Sequence, residues 1–201
     1  IVQVLDSVLA YDLKEEKYVT IKAEDMKLGY RSSIFNHGED AGRYLIISMT
    51  IHLSHDTLTP PFYTSLQNYV EEHQITDFSP KSIREMVTEI RWSKLPKPEE
   101  MASSGSFFKN VYLDDAEADR LRGMNVPVWE GNKVPSGWLI DHAGLKGMVF
   151  HGMRVSEKAA LILINESAQS YAHLKQAREE IVSIIKDKYG LTLQQEPVEL
   201  E

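Results

Sequence analysis

The sequence predicts an α+β fold: antiparallel sheets with packed helices, divided into two subdomains. Three observations lead there. Strand-like runs cluster between Val2 and Leu53, helical and strand-like runs mix beyond residue 79, and no period repeats along the chain. With 42% apolar residues in a chain of 201, there is enough material for a real core.

Val2 to Leu13 alternates as a strand does, and Lys17–Ile21 continues it after the charged turn Lys14-Glu15-Glu16. Tyr44 to Leu53 is the clearest strand, rich in β-branched residues. Pro60-Pro61 closes this region. Ser79-Pro80 supplies a helix cap and a first-turn proline, and Ile83, Met86, Val87 and Ile90 follow at i, i+3, i+4 and i+7. Leu95 to Ser104, with Pro96 and Pro98, is the best candidate for an interdomain linker. A short helix is expected from Asp114 to Arg122, stopped by Gly123, and another near Trp138–His142. Val149–Val155 and Leu161–Ile164 read as a pair of strands. Ser170 opens a long helix that stops at Gly190, with Leu174, Ala177, Ile181, Ile184 and Ile185 on one face.

Composition narrows the function. Thirty acidic against 22 basic residues give a net charge of −8, which argues against a nucleic-acid backbone as partner. An anionic small ligand stays open, because a few aimed cations suffice for one. The absence of cysteine removes disulfides, thiolate metal sites and a cysteine nucleophile, and suits a reducing cytoplasm. No apolar run approaches the roughly 18–20 residues that cross a bilayer. The start at Ile1, inside a strand-like run, reads as the cut edge of a longer chain. His52, His55 and Asp56 lack metal-ligand spacing, so no metal is expected. Gly144-Leu145-Lys146-Gly147 lacks the spacing and the Ser or Thr of a phosphate loop, and no GxGxxG occurs.

Three segments could carry chemistry. In Gly105-Ser106-Phe107-Phe108-Lys109-Asn110, glycine allows close backbone approach to a ligand and two phenylalanines can anchor the segment in a core. On residue types alone, the plainer reading is a core-anchored turn. Tyr30-Arg31 precedes an Ile34-Phe35 anchor, so its arginine is either a solvated charge or one fixed against a carboxylate. The tail Leu193-Gln194-Gln195-Glu196-Pro197 is either a frayed acidic end or part of a site, and Glu199 and Glu201 read as solvated charge.

Taken in order, Gly29–Phe35, GSFFKN and Gly137-Trp138-Leu139-Ile140-Asp141 resemble the substrate-binding part of the UDP-N-acetylenolpyruvoylglucosamine reductase (MurB) family. The resemblance implies an enzyme that reduces UDP-N-acetylglucosamine enolpyruvate with FAD and NADPH, in the cytoplasm, for peptidoglycan precursor synthesis. It places the proton donor on Ser106, the carboxylate-holding arginine on Arg31 and the cooperating glutamate on Glu196. Tyr30, Tyr63, Lys94, Asn110 and Glu166 fall at substrate-binding positions, Tyr63 and Lys94 toward the uridine diphosphate, and Gly105 at a cofactor-binding position. The chain departs from the family pattern at Ser32, Asn36 and Val111.

The resemblance also implies an organisation. Residues 1–95 would end an FAD-binding module, 96–190 form a substrate-binding domain, and 191–201 be a tail carrying the catalytic glutamate. The partner would be the N-terminal FAD-binding region of the same protein, with FAD held weakly or not at all by this stretch alone. The alternative is a non-catalytic UDP-sugar-binding module derived from such a reductase.

Overall fold

The computed structural model describes residues 2–56, 58–95, 97 and 99–199. Its fold is α+β, with antiparallel sheets and five α-helices among the described residues, in two compact units that divide between Leu58 and Thr59.

The first unit is built on a three-stranded antiparallel sheet in the order β2-β1-β3, with β1 Leu5–Asp12, β2 Lys17–Lys22 and β3 Tyr44–Ile51. Both expected strands at the start are present, the first beginning at Leu5 rather than Val2. Asp12 closes β1. Its buried carboxylate accepts from Arg43 Nε at 2.9 Å and Nη2 at 2.6 Å, and from the backbone N–H groups of Lys14 and Glu15. Arg43 also donates to Asp40 at 2.9 Å.

The Arg43 guanidinium holds the Asp12 carboxyl far below the usual carboxylate range, with the two backbone donors assisting. A carboxyl depressed on folding adds stability that is fully present above its unfolded pKa of about 3.9 and is lost progressively as pH falls from there through the lower folded pKa. Asp12→Asn is therefore expected to lower the melting temperature near neutral pH by on the order of 5–10 °C. Toward pH ~2 the gap between variant and parent should narrow. Melting curves across that range check both; a gap of constant size would sink the linkage.

In the second unit, α1 (Thr64–Glu72) and α2 (Pro80–Lys94) form a helical hairpin around buried Leu66, Val70 and Met86. Ser79 caps α2 as expected, accepting from the Ser82 N–H at 3.3 Å. Helix α1 was not anticipated, although Leu66, Tyr69 and Val70 have the i, i+3, i+4 spacing of a packed face. Pro96 and Pro98 of the expected linker lie outside the described residues.

A larger core gathers Phe107, Phe108, Leu139, Ile140, Val155, Leu163 and the buried face of α5 (Tyr171–Tyr189). Ala177, Ile181 and Ile185 are fully buried on that face, and Gly190 ends the helix at φ 75°. The four-stranded sheet runs β4-β9-β8-β7, with β4 Ser103–Ser106, β7 Val149–Phe150, β8 Met153–Val155 and β9 Ile162–Asn165. The run Val149–Val155 is thus a hairpin and not a single strand. His151 (φ 48°) and Gly152 (φ 82°) make a two-residue turn with both φ positive, the twist-matched kind. A Cβ on Gly152 would lie 2.6 Å from the Ala168 nitrogen, so only glycine fits.

Two shorter strands, β5 Val111–Tyr112 and β6 Lys133–Val134, pair beside α3 (Asp115–Gly123) and α4 (Ser136–His142). Asp114 caps α3 through the Glu117 N–H at 2.8 Å. Among the described residues no helix is long and apolar enough to cross a membrane.

Candidate active site

Ser106 ends β4, and its placement depends on Gly105. Between the pairs Ser103–Ile164 and Ser106–Ile162, β4 carries one residue more than β9, and Gly105 takes φ 73° there. This is a β-bulge with glycine in the left-handed region. The extra residue breaks the alternation, so that Ser106 is exposed while Phe107 and Phe108 are both buried, packed edge to face at 5.0 Å. The segment is core-anchored, as its residue types suggest, and the same anchoring presents the serine hydroxyl at the surface.

The tail comes back to this segment. Lys109 N–H donates to the Gln194 carbonyl at 2.8 Å, and Glu196 N–H donates to the Phe107 carbonyl at 2.8 Å. Phe108 and Gln195 form an antiparallel bridge. Buried Leu191 and Leu193 hold the tail's approach. Ser106 and Glu196, 90 positions apart in sequence, therefore stand on adjoining stretches of backbone.

Asn110 is committed through its oxygen. Helix α4 begins after Pro135, which offers no capping side chain, and Asn110 Oδ1 accepts the Ser136 N–H at 3.1 Å instead. Ser136, fully buried, returns a bond from Oγ to the Lys109 carbonyl at 2.6 Å.

Tyr63 and Lys94 lie at the same end of the α1–α2 hairpin. Tyr63 is the exposed residue preceding α1, and Lys94 Nζ donates to Ser65 Oγ at 3.1 Å in the first turn of that helix. Close by is a cleft of about 590 Å³, lined by Trp92, Leu95, Met101, Arg154, Lys158 and Glu166 among others. Glu166 accepts from Arg154 at 2.6 Å, which raises the arginine's pKa further above its usual value.

Arg31 belongs to the first unit. It occupies the third position of a tight turn closed by the Gly29–Ser32 bridge, at φ 52°. A non-glycine residue in that region is uncommon and costs about 1 kcal/mol or more. Asn36 stabilises the turn: Nδ2 donates to the Arg31 carbonyl at 3.1 Å, and Oδ1 accepts from the Ser33 N–H at 2.8 Å. The departure at Asn36 is thus part of what holds the Arg31 backbone. The guanidinium lies 5.8 Å from the centre of the Tyr30 ring.

The last residues correct one expectation. Glu199 is not merely solvated: it accepts from Arg178 and from Gln195 Nε2 at 2.8 Å, and the neighbouring Tyr171 hydroxyl, with these two, lowers its pKa. The sequence offered only the i, i+7 spacing of Tyr171 and Arg178 as a hint. Glu201 lies outside the described residues.

The sequence profile of the UDP-N-acetylenolpyruvoylglucosamine reductase C-terminal domain matches residues 97–200. The chain belongs to this reductase family. Among relatives named UDP-N-acetylenolpyruvoylglucosamine reductase, that of Ralstonia nicotianae is 33% identical over 200 residues, covering 96% of this chain and 58% of the relative. The enzyme so named from Neisseria gonorrhoeae is also 33% identical, with the same two coverages. The chain thus spans somewhat over half the length of these relatives. The crystal structure of the Thermus caldophilus reductase aligns at a TM-score of 0.55 and 17% identity, over 97% of this chain and 53% of that one, a likeness of fold.

Proposed function

We propose that the chain is the substrate-binding part of a reductase that converts UDP-N-acetylglucosamine enolpyruvate to UDP-N-acetylmuramate with FAD and NADPH. The observation that carries this reading is the hydrogen-bonded return of the tail to residues 107–109, which sets a hydroxyl and a carboxylate on adjoining backbone. In this reading Ser106 protonates C2 of the enolpyruvyl group, and Glu196 orients the substrate or its partner. Arg31 neutralises the substrate carboxylate as enolate character develops on it, the electrostatic contribution that usually dominates. Serine is a weak acid, so its competence rests on close geometry and a strongly basic carbanion as acceptor. Tyr30, Asn110 and Glu166 line the substrate's path, and Tyr63 with Lys94 takes the diphosphate. A lysine suits that task because a point charge makes little geometric demand.

FAD, when bound, supplies the hydride to C3, with NADPH as its reductant. The space that a Cβ would fill at Gly105 is open, so a planar ring can lie against that backbone. No glycine-rich fingerprint for a pyrophosphate occurs in the sequence. This stretch is therefore expected to hold FAD weakly, the firmer hold coming from an N-terminal FAD-binding region. Within this reading, residues 1–95 end the FAD-binding module, 96–190 bind substrate and 191–201 bring the glutamate. The reaction's place is the cytoplasm, in peptidoglycan precursor synthesis.

The test is calorimetry of the chain with UDP-N-acetylglucosamine enolpyruvate, followed by spectral titration with FAD and NADPH. Binding of the UDP-sugar weakened about tenfold or more in Lys94→Ala is the expected result, for the loss of one charge-assisted contact. Binding without flavin turnover in any flavin-loaded preparation would favour the non-catalytic module. No heat with the UDP-sugar sinks the proposal.

A further inference from the structure

Glu196 lies on a short tail, and a carboxylate that works on a substrate must be held to within a fraction of an ångström. Upstream, the tail is fixed by buried Leu193 and by the two backbone bonds to residues 107–109. Downstream, it is held by a cluster of side chains. Arg178 Nη1 donates to both Gln195 Oε1 and Glu199 Oε1, and so to the residues on either side of the Glu196-Pro197 arch. Gln195 Nε2 closes the arch with bonds to the Pro197 carbonyl at 3.0 Å and to Glu199 at 2.8 Å. Tyr171, two turns before Arg178 on the same face of α5, places its hydroxyl beside Glu199. Arg178 is about four-fifths buried at its side chain, which makes this more than a surface ion pair.

We propose that Arg178, with Glu199 and Tyr171, is a clasp that positions Glu196 for the proton-transfer step. The clasp is chemically suited to that task. A planar guanidinium binds two acceptors in one fixed geometry, and charge-assisted bonds are stronger than neutral ones. α5 is anchored in the core by three fully buried side chains, so the clasp ties the arch to a core-anchored helix. Its members act through Glu196 and need not touch the substrate. This inference rests on the role proposed above for Glu196.

The experiment uses Arg178→Lys, Glu199→Gln and Tyr171→Phe in flavin-loaded protein, each alone and combined with Glu196→Gln. Arg178→Lys keeps the charge but loses the fork, Glu199→Gln keeps the shape but loses the charge, and Tyr171→Phe removes one exposed hydroxyl. In the Glu196 background, kcat is expected to fall about ten- to a hundredfold in Arg178→Lys and Glu199→Gln, as a small misplacement does, with KM and calorimetric affinity little changed. Tyr171→Phe should follow in the same direction by a smaller factor. None of the three should cost anything further once Glu196 is glutamine, because a positioning group has nothing left to position. An equal loss in both backgrounds means the clasp serves stability alone and overturns the proposal, as does an unchanged kcat. If Arg178→Lys fails to fold, Tyr171→Phe decides by the same comparison. Should Glu196→Gln by itself retain the parental kcat, the role of Glu196 has failed first, and the clasp proposal falls with it.

Discussion

Replacing Ser106 by alanine is expected to lower turnover by about 10²–10⁴-fold, the usual worth of a positioned proton donor. Affinity for the UDP-sugar should remain within about twofold, because in the proposed role the hydroxyl is used in the transition state and not in binding. The structure makes this a clean substitution. Ser106 is exposed at the end of β4, and Phe107 and Phe108 hold the segment without help from its side chain. Stability should therefore change by no more than about 0.5 kcal/mol. Stopped-flow reoxidation of reduced flavin by UDP-N-acetylglucosamine enolpyruvate, in flavin-loaded protein, measures the step directly. A variant that recolours at the parental rate would remove Ser106 from the mechanism.

The largest effect on stability is expected at Phe108. Its ring is 1% exposed, packs edge to face on Phe107, and belongs to the residue that bridges to Gln195. Phe108→Ala deletes a buried aromatic and leaves a cavity, a loss of about 3–5 kcal/mol. For a unit of this size that corresponds to roughly 10 °C in melting temperature. The tail should loosen with it, since Lys109 and Phe107 carry the two backbone bonds that hold Gln194 and Glu196. Urea denaturation gives the free energy; amide exchange at Glu196 reports the tail. A variant that loses less than about 1 kcal/mol would mean the pocket collapses around the missing ring and the anchor is weaker than its burial indicates.

Local signals were legible where the chemistry is local. Ser79-Pro80, Asp114 and Ser170 each cap a helix because a side-chain oxygen two or three residues away from an orphan N–H can reach it without tertiary help. Gly190 ends α5 because the left-handed position asks for glycine. Helix α1 went unread because its apolar face, Leu66, Tyr69 and Val70, is short and is completed by Met86 and its neighbours across the hairpin. The strand expected over Val149–Val155 became a hairpin because His151-Gly152 sits inside an apolar run that hides its turn.

The candidate site divides in the same way. By itself the sequence determined the class of fold, the ends of α2, α3 and α5 and the two phenylalanines as an anchor, while its resemblance to the reductase family singled out Ser106, Arg31 and Glu196 as the residues to test. The fold class, the caps and the anchor follow from residue type and spacing within a few positions; the three site residues follow from motif resemblance alone. Only the tertiary structure decided that the tail pairs with residues 107–109, that Asn110 caps a helix 26 residues away, and that Glu199 accepts from Arg178 and Gln195. Those contacts join groups far apart in the chain. Their partners are selected by how α5, the bulged β4 and the core pack together, and packing of that range leaves no periodic trace in the sequence.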